Sequence, residues 1–256
     1  MKIVSYNVNG IRSAFNKGLL DWVIQEDADI YCFQELKANP EDINSAAFEA
    51  LGYTCYWYSA QKKGYSGVGV ITKLKPLSAQ YGCGLEQADF EGRVLQLTFE
   101  RFILINTYFP SGSSGDLRQA YKMEFLQDYL NFLNSTLQIP ESNLIVAGDY
   151  NICHKEIDIH DPKGNKNSSG FLAEERAWMD RFFETGMIDS FRHFNANPHQ
   201  YTWWSFRANA RNNNKGWRID YINVSASLKD KITKAAIHPD ALHSDHCPVV
   251  LELDIY

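Results

Sequence analysis

Nine short apolar or alternating runs, each bounded by Gly, Pro, Asn or Asp, constrain this chain more than any other feature. They cover residues 2–6, 29–34, 53–58, 67–72, 94–99, 102–108, 143–147, 217–224 and 248–253. At this length they read as strands, since core helices need about ten residues or more. Helices fit 17–26, 117–137 and 173–185. A fourth opens at Asn39-Pro40-Glu41-Asp42, with a capping residue, a proline in the first turn and early acids, and closes at Gly52. Many strands and few helices predict two sheets packed face to face with helices outside. The 256 residues, 45% hydrophobic, suffice for one large core, and without linker, low-complexity tract or repeat they are expected to form a single domain over 1–256.

No apolar run approaches the roughly 18–20 residues that span a bilayer, and MKIVSYNVNG turns polar too soon for a signal peptide. A cytoplasmic protein is expected. Cys32, Cys55, Cys83, Cys153 and Cys247 are odd in number, scattered and without a C-x-x-C pair, which predicts reduced and mostly buried thiols. The net charge of −6 argues mildly against a polyanion as partner. Residues 201–219, however, hold no acid but carry Arg207, Arg211, Lys215 and Arg218 among three Trp and four Asn. That mixture suits either a nucleic-acid groove or a solvated loop over an aromatic core.

Polar groups gather where strands end: Asn7 and Asn9 after the first, Glu35 after the second, Tyr108 and then Asp149 and Asn151 further on, and Asp245-His246 before the last. Strand ends feed loops on a rigid scaffold, where active sites tend to lie. Singly each has a plain explanation: Asn7 and Asp149 as turn formers, Glu35 as a surface acid, Asp220 as a paired acid within a strand. Together Glu35, Asp149, Asp245, Asn7 and Asn151 supply the hard oxygen ligands that Mg²⁺ or Mn²⁺ prefers. His243, His246 and Cys247, or Cys153 and His154, offer softer ligands without the paired spacing of a zinc site. No G-x-S-x-G nucleophile motif is present.

The segments SYNVNGIRSA, FQELK, GYSGVGV, EGRV, NTYFP, GDYN with EIDIHDPKGNKNSSGF, NARNNNKGWRIDY and SDHCPV occur in that order from one end of the chain to the other. Together they resemble the exodeoxyribonuclease III family of apurinic/apyrimidinic (AP) endonucleases, part of the endonuclease/exonuclease/phosphatase superfamily. The resemblance implies a deoxyribonuclease-I-like, four-layer α/β sandwich with its active site at one edge of the two sheets. It further implies a Mg²⁺- or Mn²⁺-dependent enzyme of base excision repair, acting as a monomer without a nucleotide cofactor or membrane. Its partner would be double-stranded DNA containing abasic sites.

By the same resemblance Glu35 is the main metal ligand, with Asn7 and Asp245 near it and Asp149, Asn151 and His246 close to a second ion in some accounts. Asp149 positions or deprotonates the attacking water, helped by Asn151. His246, oriented by Asp220, contacts the scissile phosphate as base or charge stabiliser, and Tyr108 hydrogen-bonds that phosphate. Trp203, Trp217 and Ile219 line a slot for a flipped-out sugar without a base, which costs less to extrude because it has no stacking to lose. Arg12, Tyr65, Asn165, Arg207 and Asn209 hold the DNA backbone and grooves, with Lys62, Lys63, Lys163 and Lys166 as weaker candidates. Asn9, Ser111, Ser168, Trp203 and Arg207 depart from some relatives, which touches phosphate grip and groove insertion. Two other readings remain: a phosphodiesterase or phosphatase of the superfamily on a non-DNA substrate, and a catalytically silent DNA-binding module.

Overall fold

The structure, a computed structural model, describes residues 1–139 and 143–255. Among them twelve strands run in chain order as β1 (Lys2–Asn7), β2 (Ile30–Gln34), β3 (Thr54–Tyr58), β4 (Val68–Thr72), β5 (Ser78–Tyr81), β6 (Val94–Thr98), β7 (Ile103–Tyr108), β8 (Leu144–Asp149), β9 (Met187–Asp189), β10 (Asp220–Ser225), β11 (Ile232–Ile237) and β12 (Val249–Leu253). Seven α-helices accompany them: α1 (Ile11–Asn16), α2 (Leu19–Glu26), α3 (Ser45–Glu49), α4 (Glu86–Phe90), α5 (Asp116–Leu137), α6 (Ala173–Glu184) and α7 (Ser190–Phe194). The strands form two six-stranded sheets, ordered β11-β12-β1-β2-β4-β3 and β5-β6-β7-β8-β10-β9.

Side-chain alternation produces four layers. Ile3, Ile30, Cys32, Val68 and Val70 of the first sheet meet Leu95, Leu104, Ile145, Ala147 and Ile222 of the second in one core between the sheets. Their chain neighbours point the other way. Val4, Tyr31 and Phe33 pack against Leu19, Val23 and Phe48, on the side of α2 and α3, and Val94, Ile105 and Val146 pack against Phe125, Tyr129, Trp178 and Phe182 of α5 and α6. Both faces of each sheet are therefore covered, which is why the central strands read as unbroken apolar runs. The four-layer α/β sandwich expected from the sequence is the fold observed.

The nine expected strands are all present, and three more join them. β5 is exposed at every position, β9 has three residues, and β11 is an edge strand with a register shift between Ile232 and Lys234. Sheet edges bury little, so none of the three shows an apolar run. The strand expected from residue 217 begins at Asp220 instead. The single helix expected over 39–52 is two pieces: Pro40–Asp42 forms a 3₁₀ turn, Ile43 is extended, and Asn44 starts α3 afresh by accepting the Ala47 N–H. No helix among the described residues is long and apolar enough to cross a membrane.

β12 lies inside its sheet, paired antiparallel with β11 on one side and β1 on the other. Val249, Val250, Leu251 and Leu253 are fully buried. Burying such side chains contributes about 1.5–3 kcal/mol each, so the four together rival the roughly 5–15 kcal/mol by which a domain is stable. Truncation before Ser244 is expected to yield no folded protein. A fragment ending at Leu242 that melts cooperatively and keeps its activity would show the last strand to be dispensable.

Candidate active site at one edge of the two sheets

The topology brings one end of each sheet to the same edge. β1 and β2 are parallel and end together, Asn7 opposite Gln34, while β12 runs antiparallel and begins there after Asp245-His246. In the second sheet β7 and β8 are parallel and end with Tyr108 opposite Asp149, and antiparallel β10 begins with Asp220 opposite Asp149. The polar residues scattered through the sequence thus meet because parallel strands end where antiparallel ones start. Gly148 allows the close approach: its backbone φ is +155°, and a Cβ there would lie 1.9 Å from the Thr107 carbonyl oxygen.

Asp149 is the hub. Its Oδ2 accepts from Asn7 Nδ2 at 2.8 Å and from Asn151 Nδ2 at 3.3 Å, and Oδ1 accepts the Asn151 backbone N–H at 2.9 Å. His246 Nε2 stands 3.9 Å from Asp149 Oδ2, while His246 Nδ1 lies 2.9 and 3.1 Å from the two oxygens of Asp220. A carboxylate can only accept, so Nδ1 carries a proton toward Asp220 and Nε2 faces the site. Thr202 fixes Asp220 in turn: its hydroxyl donates to Oδ2 at 2.5 Å and accepts the backbone N–H groups of Ile219 and Asp220.

Burial and then the charge of Asp220 push the Asp149 carboxyl up to about 7, against the opposing pull of His246. The acid that does this is Asp220, which faces Asp149 across the β8–β10 ladder. Burial alone would lower the His246 imidazole, but Asp220, Asp149 and Asp245 outweigh it and raise its pKa to about 10. Burial also works against a charge on Asp245, yet His246 and hydrogen bonds from Asn9 and Trp203 hold that carboxyl below its ordinary range. At neutral pH His246 is therefore an imidazolium, suited to stabilise charge and unsuited to take a proton.

A second chain of contacts reaches Glu35. The Lys37 ammonium sits 2.9 Å from Glu35 Oε1 and donates to Asn9 Oδ1 at 2.6 Å. Asn9 Nδ2 donates to Asp245 Oδ1 at 2.8 Å, and the Asn9 N–H donates to Asn7 Oδ1 at 2.9 Å. Asn9, Glu35, Lys37 and Asn151 all hold positive φ, between 44° and 58°. Non-glycine residues in that region carry strain of about 1–3 kcal/mol each, tolerated where position matters more than stability.

The cation question turns on these donors. Among the described residues the one group of three or more His, Cys, Asp and Glu side chains that converges is Asp149, Asp220 and His246, with donor atoms within 4.8 Å of one another. Neither zinc alternative forms such a group. Glu35, Asn7, Asn9 and Asp245 present hard oxygens, and Lys37 already places a positive charge between two of them. This oxygen-rich edge suits a divalent cation.

Beside His246 the edge becomes aromatic. Trp203 meets Trp217 nearly perpendicularly, ring centroids 6.0 Å apart, and lies 6.4 Å from the His246 ring. Both Trp residues pack on Ile219, Ile159, Cys153 and Phe171. Trp203 Nε1 also donates to Asp245 Oδ2 at 3.0 Å, which ties the apolar wall to the carboxylate. No motif marks Thr202, whereas Phe171 closes the SSGF motif and Lys37 the FQELK motif.

The Tyr108 ring lies under the Arg93 guanidinium at 4.8 Å, and Arg93 donates to the Tyr108 carbonyl at 2.7 Å. Arg93 is buried, braced by Glu91, and shares the Tyr65 hydroxyl with Arg118. Arg12, Arg207, Asn209, Lys62, Lys63, Lys163 and Lys166 are exposed. Asn165 uses its amide N–H groups on the His160 and Asp161 carbonyls of its own loop. Two cations of the 201–219 stretch serve the fold instead. Arg218 is buried between Asp158 and Asp189, and Arg211 donates to the carbonyls of Pro239, Ala241 and Ser244. All five cysteines are free thiols, with Cys32, Cys153 and Cys247 buried.

Comparison with known proteins agrees with this geometry. Residues 4–246 match the model of the endonuclease/exonuclease/phosphatase family. The chain is 43% identical to an exodeoxyribonuclease of Bacillus subtilis, over the whole of both proteins. It is 40% identical to a DNA-(apurinic or apyrimidinic site) endonuclease of Dictyostelium discoideum, covering all of this chain and 71% of that one. The structure of an AP endonuclease from Archaeoglobus fulgidus superposes over the full length of both chains with a TM-score of 0.92 at 28% identity. The chain belongs to the endonuclease/exonuclease/phosphatase family, in its exodeoxyribonuclease and AP endonuclease branch.

Proposed function

We propose that this protein is an AP endonuclease of base excision repair that uses Mg²⁺ or Mn²⁺ and hydrolyses the phosphodiester 5′ to an abasic site. The products are a 3′-hydroxyl and a 5′-deoxyribose phosphate, and 3′-5′ exonuclease and 3′-phosphodiesterase action would draw on the same centre. The observation that carries the reading is the buried Asp149–His246–Asp220 constellation standing directly against the Trp203–Trp217 wall. The first is equipped for phosphodiester hydrolysis, and the second is a surface for a sugar that has lost its base. The relatives named exodeoxyribonuclease and AP endonuclease support it.

In this reading Asp149 takes the proton of the attacking water, for which a carboxyl near 7 is well matched. Asn151 and Asn7 hold that carboxylate in place. The Nε2–H of His246 meets a non-bridging phosphate oxygen, and the Tyr108 hydroxyl, which no described side chain or backbone group engages, meets another. Glu35, Asn7 and Asp245 would hold the cation, with Asp149, Asn151 and His246 bordering it. When bound, it would stabilise charge on the phosphate and on the leaving oxygen. Trp203, Trp217 and Ile219 receive the sugar. Arg12, Tyr65, Arg207 and Asn209 hold the backbone and grooves, and Asn165 would join them by exchanging a bond to its own loop for one to a phosphate. In this reading the protein acts as a monomer and a single domain on cytoplasmic DNA, without a nucleotide cofactor.

A duplex with one abasic analogue tests this directly. Cleavage 5′ to the analogue with Mg²⁺, and none with chelator, is the expected result; an intact duplex would exclude the endonuclease reading, and metal-dependent attack on small phosphodiesters alone would favour the non-DNA alternative. Binding should also weaken with salt despite the net charge of −6. With about three to five phosphate contacts, log K against log salt should fall with a slope of about −3 to −5. Anisotropy titrations with a flat salt response would remove the backbone grip.

A further inference from the structure

The catalytic edge is split between two sheets. Asn7 ends β1 and Glu35 follows β2 of the first, Asp245 and His246 lead into its β12, and Tyr108, Asp149 and Asp220 belong to the second. Between the sheets lies the apolar core already described, and apolar contact is non-directional, so it holds surfaces together without fixing how they lie laterally. The interior also contains a polar connection directly beneath the site. Gln34 Nε2 of β2 donates to Asn106 Oδ1 of β7 at 2.7 Å. Asn106 Nδ2 crosses back to two carbonyls of the first sheet, Phe33 at 3.0 Å and Gly69 at 2.8 Å. Phe33 and Gly69 face each other on β2 and β4, so one amide grips two strands at once. Gln34, Asn106 and Ser5, which accepts from Gln34 at 3.0 Å, have no exposure to solvent.

We propose that Gln34 and Asn106 are positioning residues that set the two halves of the catalytic centre in register. Gln34 immediately precedes Glu35 and lies opposite Asn7; Asn106 is two residues before Tyr108 and lies opposite Ala147, two residues before Asp149. The bridge is thus within two residues of the site on each of four strands. Stability is a poor explanation for it, because Gln34 Oε1 is buried without a partner, a cost that offsets what the bonds of the bridge contribute. What the bridge supplies is direction. Hydrogen bonds at these distances fix placement to a fraction of an ångström, the tolerance that a reacting geometry needs.

The inference rests on the abasic-DNA reading for its kinetic readout, so a structural readout accompanies it. In the double variant Gln34→Met, Asn106→Leu the melting temperature should stay within a few degrees of the parent's. On the abasic-analogue duplex kcat should fall about 10- to 100-fold while KM changes less than about threefold. The crystal structure of the double variant should show the Asn7 Nδ2–Asp149 Oδ2 contact, 2.8 Å in the parent, opened beyond hydrogen-bonding distance. An unchanged contact with parental kcat overturns the proposal, as does a loss of rate that only tracks the unfolded fraction. If the double variant does not fold, Gln34→Met alone keeps Asn106 on its two carbonyls: a kcat several-fold lower at constant KM supports the bridge, and parental kcat overturns it. Should the parent leave abasic duplexes intact, the functional reading fails, and the Asn7–Asp149 separation still decides this one.

Discussion

Asp149→Asn is expected to lower the rate of abasic-duplex cleavage by about 10²- to 10⁴-fold, the range for loss of a positioned general base, and at the same time to make the metal-free protein more stable. The two effects share one cause. Asp149 is buried and faces Asp220 across the ladder, so its carboxyl is raised to about 7 and the fold disfavours its charge. A raised carboxyl contributes most below its unfolded value near 3.8, and that contribution is lost as pH climbs through about 7. Asparagine never ionises, and its one carbonyl oxygen can accept from the Asn7 and Asn151 side chains, at the cost of the bond from the Asn151 backbone N–H. In chelator, parent and variant should therefore melt alike near pH 4 and diverge up to about pH 7, with the variant ahead by something on the order of 2–4 kcal/mol. Melting curves across this range, with cleavage rates beside them, are the measurement. A variant that keeps most of the rate shows that another group accepts the proton, and equal melting at all pH values shows that the carboxylate is not under strain.

The same burial explains what could be read from sequence and what could not. The four layers were legible because both faces of each sheet are covered, so Ile3 and Val4 or Ile145 and Val146 are apolar in succession although they point into different cores. β5 and β11 were not, since an exposed edge imposes no pattern. In the site, residues whose chemistry lies in their own side chain, such as Asp149 and His246, could be singled out. Residues that act by placing others could not: Thr202 matters because its hydroxyl reaches Asp220, eighteen positions away, and Asn106 because it reaches across an interior that the sequence does not display. Arg218 was misleading for the complementary reason. A cation among Trp and Asn suits a nucleic-acid groove as well as a solvated loop until Asp158 and Asp189, from distant segments, are seen to enclose it.

Asp220→Asn should be nearly as damaging as the loss of Asp149, and it should move the pH dependence in a defined direction. In the parent, His246 keeps its proton to about pH 10 because Asp220 and the neighbouring acids overcome the effect of burial. The rate should then rise as Asp149 ionises near 7 and fall as His246 deprotonates near 10, with a bound cation drawing the lower limb further down. Without the Asp220 charge the largest influence that raises the imidazole is gone and burial is opposed only by Asp149 and Asp245, so its pKa falls and the phosphate's partner carries less positive charge. Asp149 loses its repelling neighbour too, and both limbs shift toward acid. At about pH 7.5 the rate should fall by about 10²- to 10³-fold, as expected for removal of one preorganised charge stabiliser. Stability gives an independent check. A raised histidine stabilises fully below its unfolded value of 6.5, and that contribution disappears as pH rises toward 10. The parent should therefore lose stability between these limits, and Asp220→Asn should show little of that slope. A pH–rate profile that keeps its position after the substitution would mean that Asp220 orients His246 without charging it.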